Sequence, residues 1–82
     1  MINKKFVIEE NIKKHLAEYL GISAEDIAND DDLKEDLHMN AAEISEFMQS
    51  LKKIGYTVDL SNIATIETVS GLIEIISEEE EF

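Results

Sequence analysis

The sequence predicts a small all-α protein: a bundle of three main helices and one additional short helical turn. In three separate stretches, apolar residues recur every three or four positions, which is the spacing of an amphipathic helix. The length of 82 residues suffices for one hydrophobic core and is too short for two. No heptad repeat persists, and the one stretch with alternating apolar residues has no partner strand. A helical bundle is therefore favoured over a coiled coil or a sheet.

The first helix is predicted from Phe6 to Leu20. Its apolar stripe consists of Ile8, Ile12, Leu16, Tyr19 and Leu20. Glutamates stand early in this stretch and lysines with a histidine stand late, so we expect the charges to complement the helix dipole. Gly21 can adopt the left-handed conformation that ends a helix.

A short turn and an acidic loop are predicted next. Ser23 is a candidate N-cap with Asp26 three residues later, which predicts a single helical turn. The following segment, 29–32, reads as an acidic loop. Leu33 and Leu37 are the residues expected to anchor this loop in the core.

The second helix is predicted to begin near Asn40 and to end at Gly55. The Asn40 side chain can accept a backbone hydrogen bond at the helix start while Glu43 reaches back, a pattern known as a capping box. The predicted buried stripe is Ile44, Phe47, Met48 and Leu51.

The third helix is predicted to follow an extended linker over 56–63 that contains one short helical turn near Ser61. Thr65 is its candidate cap, and its apolar face is Ile66, Val69, Leu72, Ile73 and Ile76. The closing sequence "SEEEEF" puts four glutamates at the negative end of that helix, so we expect it to fray. The chain then forms one domain, 1–82, with a core of about 6–77 and an acidic tail of 78–82.

The charge balance limits the possible partners. Seven lysines and no arginine stand against 19 Asp+Glu, which gives a formal net charge of −12. This field repels phosphate backbones and anionic lipids, so we expect no nucleic acid and no membrane partner. A protein partner should offer a basic patch, although acidity can also serve solubility alone. Without a membrane span or signal peptide in the sequence, we expect a cytoplasmic monomer.

Catalytic and metal chemistry are weakly supported. The chain has no cysteine, and its only histidines are His15, on a predicted helix, and His38, in a predicted loop. A serine nucleophile needs a base and a group that orients the base, and two histidines provide few candidates for the base. Asp30 to Asp32 suggest a weak calcium site but lack the glycine and the distal glutamate of an EF-hand. We expect neither an enzyme nor a metal site.

The order and spacing of the segments resemble the acyl carrier protein family. "ENIKKHLAEYLGIS" is similar to the family's first helix, "DDDLKEDL" to the segment before its prosthetic group, and "IETVSGLIEII" to its last helix. The resemblance covers about Ile8 to Ile76 and implies a small four-helix bundle. It also implies a non-catalytic carrier of acyl intermediates in fatty acid, polyketide or related biosynthesis.

The resemblance assigns a special role to Ala41. In the family an Asp-Ser-Leu motif opens the second helix, and its serine is esterified to 4'-phosphopantetheine. Here the matching residues are Asn40, Ala41 and Ala42. Alanine has no hydroxyl, so the chain as written cannot be phosphopantetheinylated at this position and would be a locked apo form. Ser45 lies one helical turn, about 5 Å, further along the axis.

Two explanations of Ala41 remain open at this point. A serine was replaced by design, or the chain is a degenerate carrier fold that acts as a protein-binding module. Asn40 in place of aspartate, Ala42 in place of leucine and His38 in place of the family's usual glycine indicate divergence. The same departures are compatible with an unusual working carrier.

The resemblance also implies a docking surface on the second helix, where acidic side chains meet basic patches on a phosphopantetheinyl transferase and on acyl-handling synthases. The predicted partner-binding residues are Asp36, Asn40, Glu43 and Glu46. Met39 is a further candidate for an adaptable contact. Lys52 and Lys53 stand where the family often continues acidic, a shift that can select a different partner.

Overall fold

Three α-helices and one turn of 3-10 helix make up the secondary structure of the described residues, 3–56 and 66–80, in the computed structural model. The helices are α1 (Lys4–Leu20), α2 (Ala41–Lys53) and α3 (Val69–Glu80), and the 3-10 turn is Ala24–Asp26. The all-α prediction is confirmed. A count of four helices is not reached within the described residues, because the second element is a single 3-10 turn.

Helix α1 begins two residues earlier than predicted. Asn3 caps it, because the Asn3 side chain accepts a hydrogen bond of 2.8 Å from the Lys5 amide. The helix ends as predicted at Gly21, whose φ is 74° and whose amide donates to the Ala17 carbonyl at 2.8 Å. The early start makes the dipole expectation wrong: the first turn contains no acidic residue and the last turn no basic one.

The predicted turn after α1 exists, but Ser23 does not cap it through its side chain. The turn closes through its backbone, with the Ile27 amide donating to the Ala24 carbonyl at 3.1 Å. Ile27 then enters the core. The predicted loop anchors also contact the core: Leu33 is buried and Leu37 is half-buried against it.

Helix α3 begins later than predicted. It starts at Val69, and the Thr68 hydroxyl accepts a hydrogen bond of 3.1 Å from the Gly71 amide. Ile66 is buried as expected but precedes the helix. The candidate cap Thr65, the linker beyond Tyr56 and the helical turn predicted near Ser61 lie outside the described residues. At its other end the helix continues through Glu80, three residues into the predicted tail.

The acidic loop after the 3-10 turn holds the start of α3. The first amides of a helix have no partner inside it. Here the Val69 amide donates to the Asp31 carbonyl at 3.0 Å, and the Ser70 amide donates to the Asn29 carbonyl at 2.7 Å. Asp32 and Thr68 form an isolated antiparallel bridge beside these bonds. Backbone hydrogen bonds therefore join this loop to the start of α3.

The core lies where α1 packs against α2, α3 and the 3-10 turn. All four residues predicted for the buried stripe of α2 are in it. The buried apolar residues are Ile8, Ile12, Leu16, Ala17, Ile27, Leu33, Met39, Ile44, Phe47, Met48, Leu51, Ile66, Val69, Leu72, Ile73 and Ile76. Within the described part of the chain, no helix has the length and apolar character needed to cross a membrane.

Candidate functional site

The candidate site is the start of α2. Ala41 and Ala42 are its first two residues, and both are exposed. The predicted capping box is confirmed: the Asn40 side chain accepts from the Glu43 amide at 2.8 Å, and the Glu43 carboxylate accepts from the Asn40 amide at 3.1 Å. These reciprocal bonds fix the backbone on both sides of Ala41.

The residues before the cap hold this helix start against the core. Met39 is 2% exposed, and its amide donates to the Leu33 carbonyl at 2.9 Å. The hypothesis that Met39 lines a contact surface is therefore wrong, because its side chain is part of the core. His38, immediately before it, is exposed and has a φ of 59°, a left-handed conformation that glycine adopts most easily.

The carboxylates of Asp32, in the acidic loop, and of Asp36, four residues later, accept hydrogen bonds from nearby backbone amides. Asp36 accepts from the Asp32 amide at 2.7 Å, and Asp32 accepts from the amides of Lys34 and Glu35 at 2.8 and 2.9 Å. Asp36 is exposed but oriented toward its own loop. Among the residues that the structure describes, no three histidine or acidic side chains converge as metal ligands.

Glu43 and Glu46 lie three residues apart on one side of α2. Glu46 is exposed, whereas Glu43 is half-buried and engaged in the capping box. Two of the predicted partner-binding residues, Asn40 and Glu43, are hydrogen-bonded to each other. Glu46 is exposed on the helix face, and Asp36 accepts a hydrogen bond from the Asp32 amide.

Tyr19 of α1, predicted only as part of an apolar stripe, lies close enough to these two glutamates for their charges to act on its phenol. Burial raises the pKa of the Tyr19 phenol, and the nearby carboxylates of Glu46 and Glu43 raise it further. The ring packs against that of Phe47, with centroids 5.7 Å apart. In the sequence, the only sign of this arrangement is that a tyrosine stands near the end of an otherwise aliphatic stripe. A tyrosine at such a position usually has its ring in the core and its hydroxyl at the protein surface.

His15 and Ser50 form a hydrogen bond between α1 and α2 that lacks the form of a catalytic dyad. The Ser50 hydroxyl lies 2.7 Å from the Phe47 carbonyl, to which it must donate, since a carbonyl only accepts. His15 Nε2 lies 2.9 Å from the Ser50 hydroxyl oxygen, and it must therefore be the donor in that bond. A nucleophilic serine needs the opposite arrangement, in which its proton points at the histidine. This pair connects two helices.

Comparison with known proteins identifies the family. Residues 10–76 match the protein family described as "Phosphopantetheine attachment site". An acyl carrier protein of Saccharopolyspora erythraea is 41% identical over 69 residues, which cover 83% of this chain and 73% of that protein. The chain belongs to the acyl carrier protein family. An acyl carrier protein of Chlamydia trachomatis serovar L2 is 26% identical over 72 residues, covering 87% of this chain and 94% of that protein.

Family membership confirms the predicted resemblance and makes 4'-phosphopantetheine the prosthetic group that the family implies. Acyl carrier proteins are carriers rather than catalysts. The residues at the start of α2 do not fit covalent attachment. The exposed side chain of Ala41 is a methyl group, and no serine or threonine occurs from residue 33 to residue 44. That Ala41 matches the family's attachment serine stays a prediction from the sequence.

Proposed function

We propose that this chain is an acyl carrier protein locked in its apo form, which docks on enzymes of fatty acid, polyketide or related biosynthesis without carrying an acyl group itself. Position 41 is the site where a carrier would bear its prosthetic arm. The partners would be a phosphopantetheinyl transferase and acyl-handling synthases, and the chain would act as a cytoplasmic monomer with no chemistry of its own.

One observation supports this proposal: α2 presents residue 41 to solvent on a backbone held by the capping box, and that residue is an alanine. The capping box fixes the backbone around position 41, and Met39 anchors the preceding loop in the core. Any side chain at position 41 would therefore be displayed to solvent in a defined orientation. With alanine, position 41 is still exposed to solvent, but no phosphodiester can form there because the side chain has no hydroxyl.

The decisive experiment is to change Ala41 to Ser and incubate the variant with coenzyme A and a broad-specificity phosphopantetheinyl transferase. Intact-protein mass spectrometry should detect the gain of one phosphopantetheine group. Ala42→Ser is the matched control, because it puts the same hydroxyl on the next exposed residue of the same helix. It should gain nothing.

Two other results would contradict the proposal. Modification of the unchanged chain would mean that another hydroxyl serves and that the protein is not locked. Modification at position 42 in preference to position 41 would mean that the assignment of the attachment position is off by one residue.

The second candidate is a protein-binding module that never carried a substrate, which Ala41 together with Asn40 and Ala42 favours. If Ala41→Ser folds and binds the transferase without gaining mass, this second function is supported. If the variant is modified, the alanine alone silences a carrier site.

The acidic face of α2 supplies the proposed docking contacts. Reversing the charge of Glu46 should weaken transferase binding at low salt and do so less at high salt, because exposed charges are screened. Glu46 is a better test than Glu43, whose carboxylate also caps the helix. Glu78→Lys is the matched control, since Glu78 is an exposed glutamate on α3 and the net charge changes equally.

A further inference from the structure

The exposed face of α2 changes the sign of its charge along its length. A stripe of four exposed residues recurs at the three- and four-residue spacing of one helix face: Ala42, Glu46, Gln49 and Lys53. Lys52 is exposed beside this docking stripe. Glu46 and Lys53 are separated by two helical turns, about 10 Å along the axis. The stripe therefore has an acidic part near position 41 and a basic end.

The two lysines are not paired within the described part of the chain. In residues 3–56 and 66–80, neither Lys52 nor Lys53 forms an ion pair, whereas Lys5 is paired with Glu74. Both lysines lie in the last turn of α2, where they suit the helix dipole, and both remain exposed. Exposed charges of this kind are available to attract one class of partner surface and repel another.

These lysines act against the charge of the chain as a whole. A formal net charge of −12 attracts any basic surface at long range. At contact, a surface that is basic throughout is attracted by Glu46 and repelled by Lys53. A surface with acidic groups opposite the end of α2 is attracted at both positions, so the stripe discriminates between the two.

We propose that Lys52 and Lys53 are specificity-determining residues: the docking stripe fits a partner enzyme that is basic opposite Glu46 and acidic opposite the end of α2. They disfavour a partner whose patch is basic throughout. This inference rests on the proposed docking function of α2 and narrows the class of partner.

The test measures the Kd of the chain for a broad-specificity phosphopantetheinyl transferase whose docking patch is basic throughout. Lys53 is changed to Gln and to Glu. The Kd should fall in the order Lys, Gln, Glu. Lys53→Glu should lower it roughly two- to thirtyfold at low salt, because a repulsive exposed contact becomes an attractive one. The effect should shrink at high salt, since exposed charges are screened.

Lys13→Glu is the matched control. It changes the net charge equally, but Lys13 lies on α1, in a surface groove that it shares with Glu25 of the 3-10 turn. It should lower the Kd much less than Lys53→Glu does. Urea denaturation separates docking from the helix dipole: a loss of stability in Lys53→Glu without a gain in affinity would overturn the proposal.

A second arm tests the acidic part of the expected partner surface. The basic residues of the transferase patch are reversed to glutamate one at a time, and the unchanged chain is titrated against each variant. At least one reversal should tighten the complex, and this gain should disappear when Lys52→Gln and Lys53→Gln are combined. If no reversal tightens the complex, the proposal is overturned.

A second copy of this chain is the other occupant that the charge pattern allows. Two antiparallel copies of α2 would place Glu46 of each opposite Lys53 of the other. Repulsion between two chains of net charge −12 opposes this pairing, so light scattering at low salt should detect a monomer. A dimer that Lys53→Glu dissociates would overturn the proposal.

The Glu46→Lys variant separates this inference from the function on which it rests. If Glu46→Lys weakens transferase binding and Lys53→Glu does not strengthen it, the docking surface stands and the role of the lysines is overturned. If neither variant changes the Kd, the docking surface is overturned and the role of the lysines with it.

Discussion

Replacing Phe47 by leucine tests how much the aromatic contacts between α1 and α2 stabilise the fold. Phe47 is 1% exposed, and its ring meets two side chains of α1, His15 at 5.5 Å and Tyr19 at 5.7 Å between centroids. Leucine has three fewer side-chain carbons than phenylalanine, and each buried carbon contributes about 0.8 kcal/mol. Each ring pair contributes about 0.5–1.5 kcal/mol beyond burial. We therefore expect Phe47→Leu to lower the free energy of unfolding by roughly 3–5 kcal/mol.

Urea denaturation followed by circular dichroism measures this free energy, and Met48→Leu is the control. Met48 is the next residue of the same helix and is fully buried, but it has no aromatic ring, so its replacement by the similarly sized leucine should cost about 1 kcal/mol or less. For a domain of this size, a difference of about 1 kcal/mol also shifts Tm by roughly 4–8 °C. A loss of about 2 kcal/mol or less in Phe47→Leu would refute the argument, because burial of the three lost carbons would account for all of it.

Three further predictions concern single residues of the site. Asn40→Ala should lower the free energy of unfolding by about 1 kcal/mol through loss of the capping bond, whereas Asn40→Asp should leave it nearly unchanged in the same urea assay. His38→Gly should raise the free energy of unfolding by about 0.5–1 kcal/mol, because His38 has a φ of 59° and glycine adopts this conformation without a steric cost. Tyr19 has a raised pKa in the folded state, so its contribution to stability should be present below pH 10 and be lost as the pH rises through the folded pKa. Denaturation at increasing pH should detect this loss in the unchanged chain and a smaller one in Tyr19→Phe.

Helix α2 was predicted from the sequence because its determinants are local. The capping box joins residues three positions apart, Asn40 and Glu43, and the buried stripe follows the period of one helix. Both signals are complete within a short window of sequence. The early start of α1 has an equally local determinant in Asn3, whereas the boundary at Phe6 was predicted from the apolar periodicity alone.

Helix α3 and Tyr19 could not be predicted in the same way, because their determinants are tertiary. The start of α3 is fixed by carbonyls of Asn29 and Asp31, some forty residues earlier in the chain. Tyr19 comes close enough to Glu46 to interact with its charge only after α1 and α2 have packed through Phe47. A short stretch of sequence around either residue contains only one of the two contacting groups, so it cannot predict the contact.

The geometry at the start of α2 does not depend on the side chain at position 41. Reciprocal bonds between Asn40 and Glu43 fix the turn, and Met39 is buried before it. These contacts are strong enough to hold His38 in a left-handed conformation that costs a non-glycine residue about 1–2 kcal/mol. Under the assignment proposed above, an exposed alanine at position 41 would remove the chemistry of attachment and leave the capping box and the buried Met39 in place. The proposal of a locked apo carrier requires this separation between loss of the hydroxyl and retention of docking.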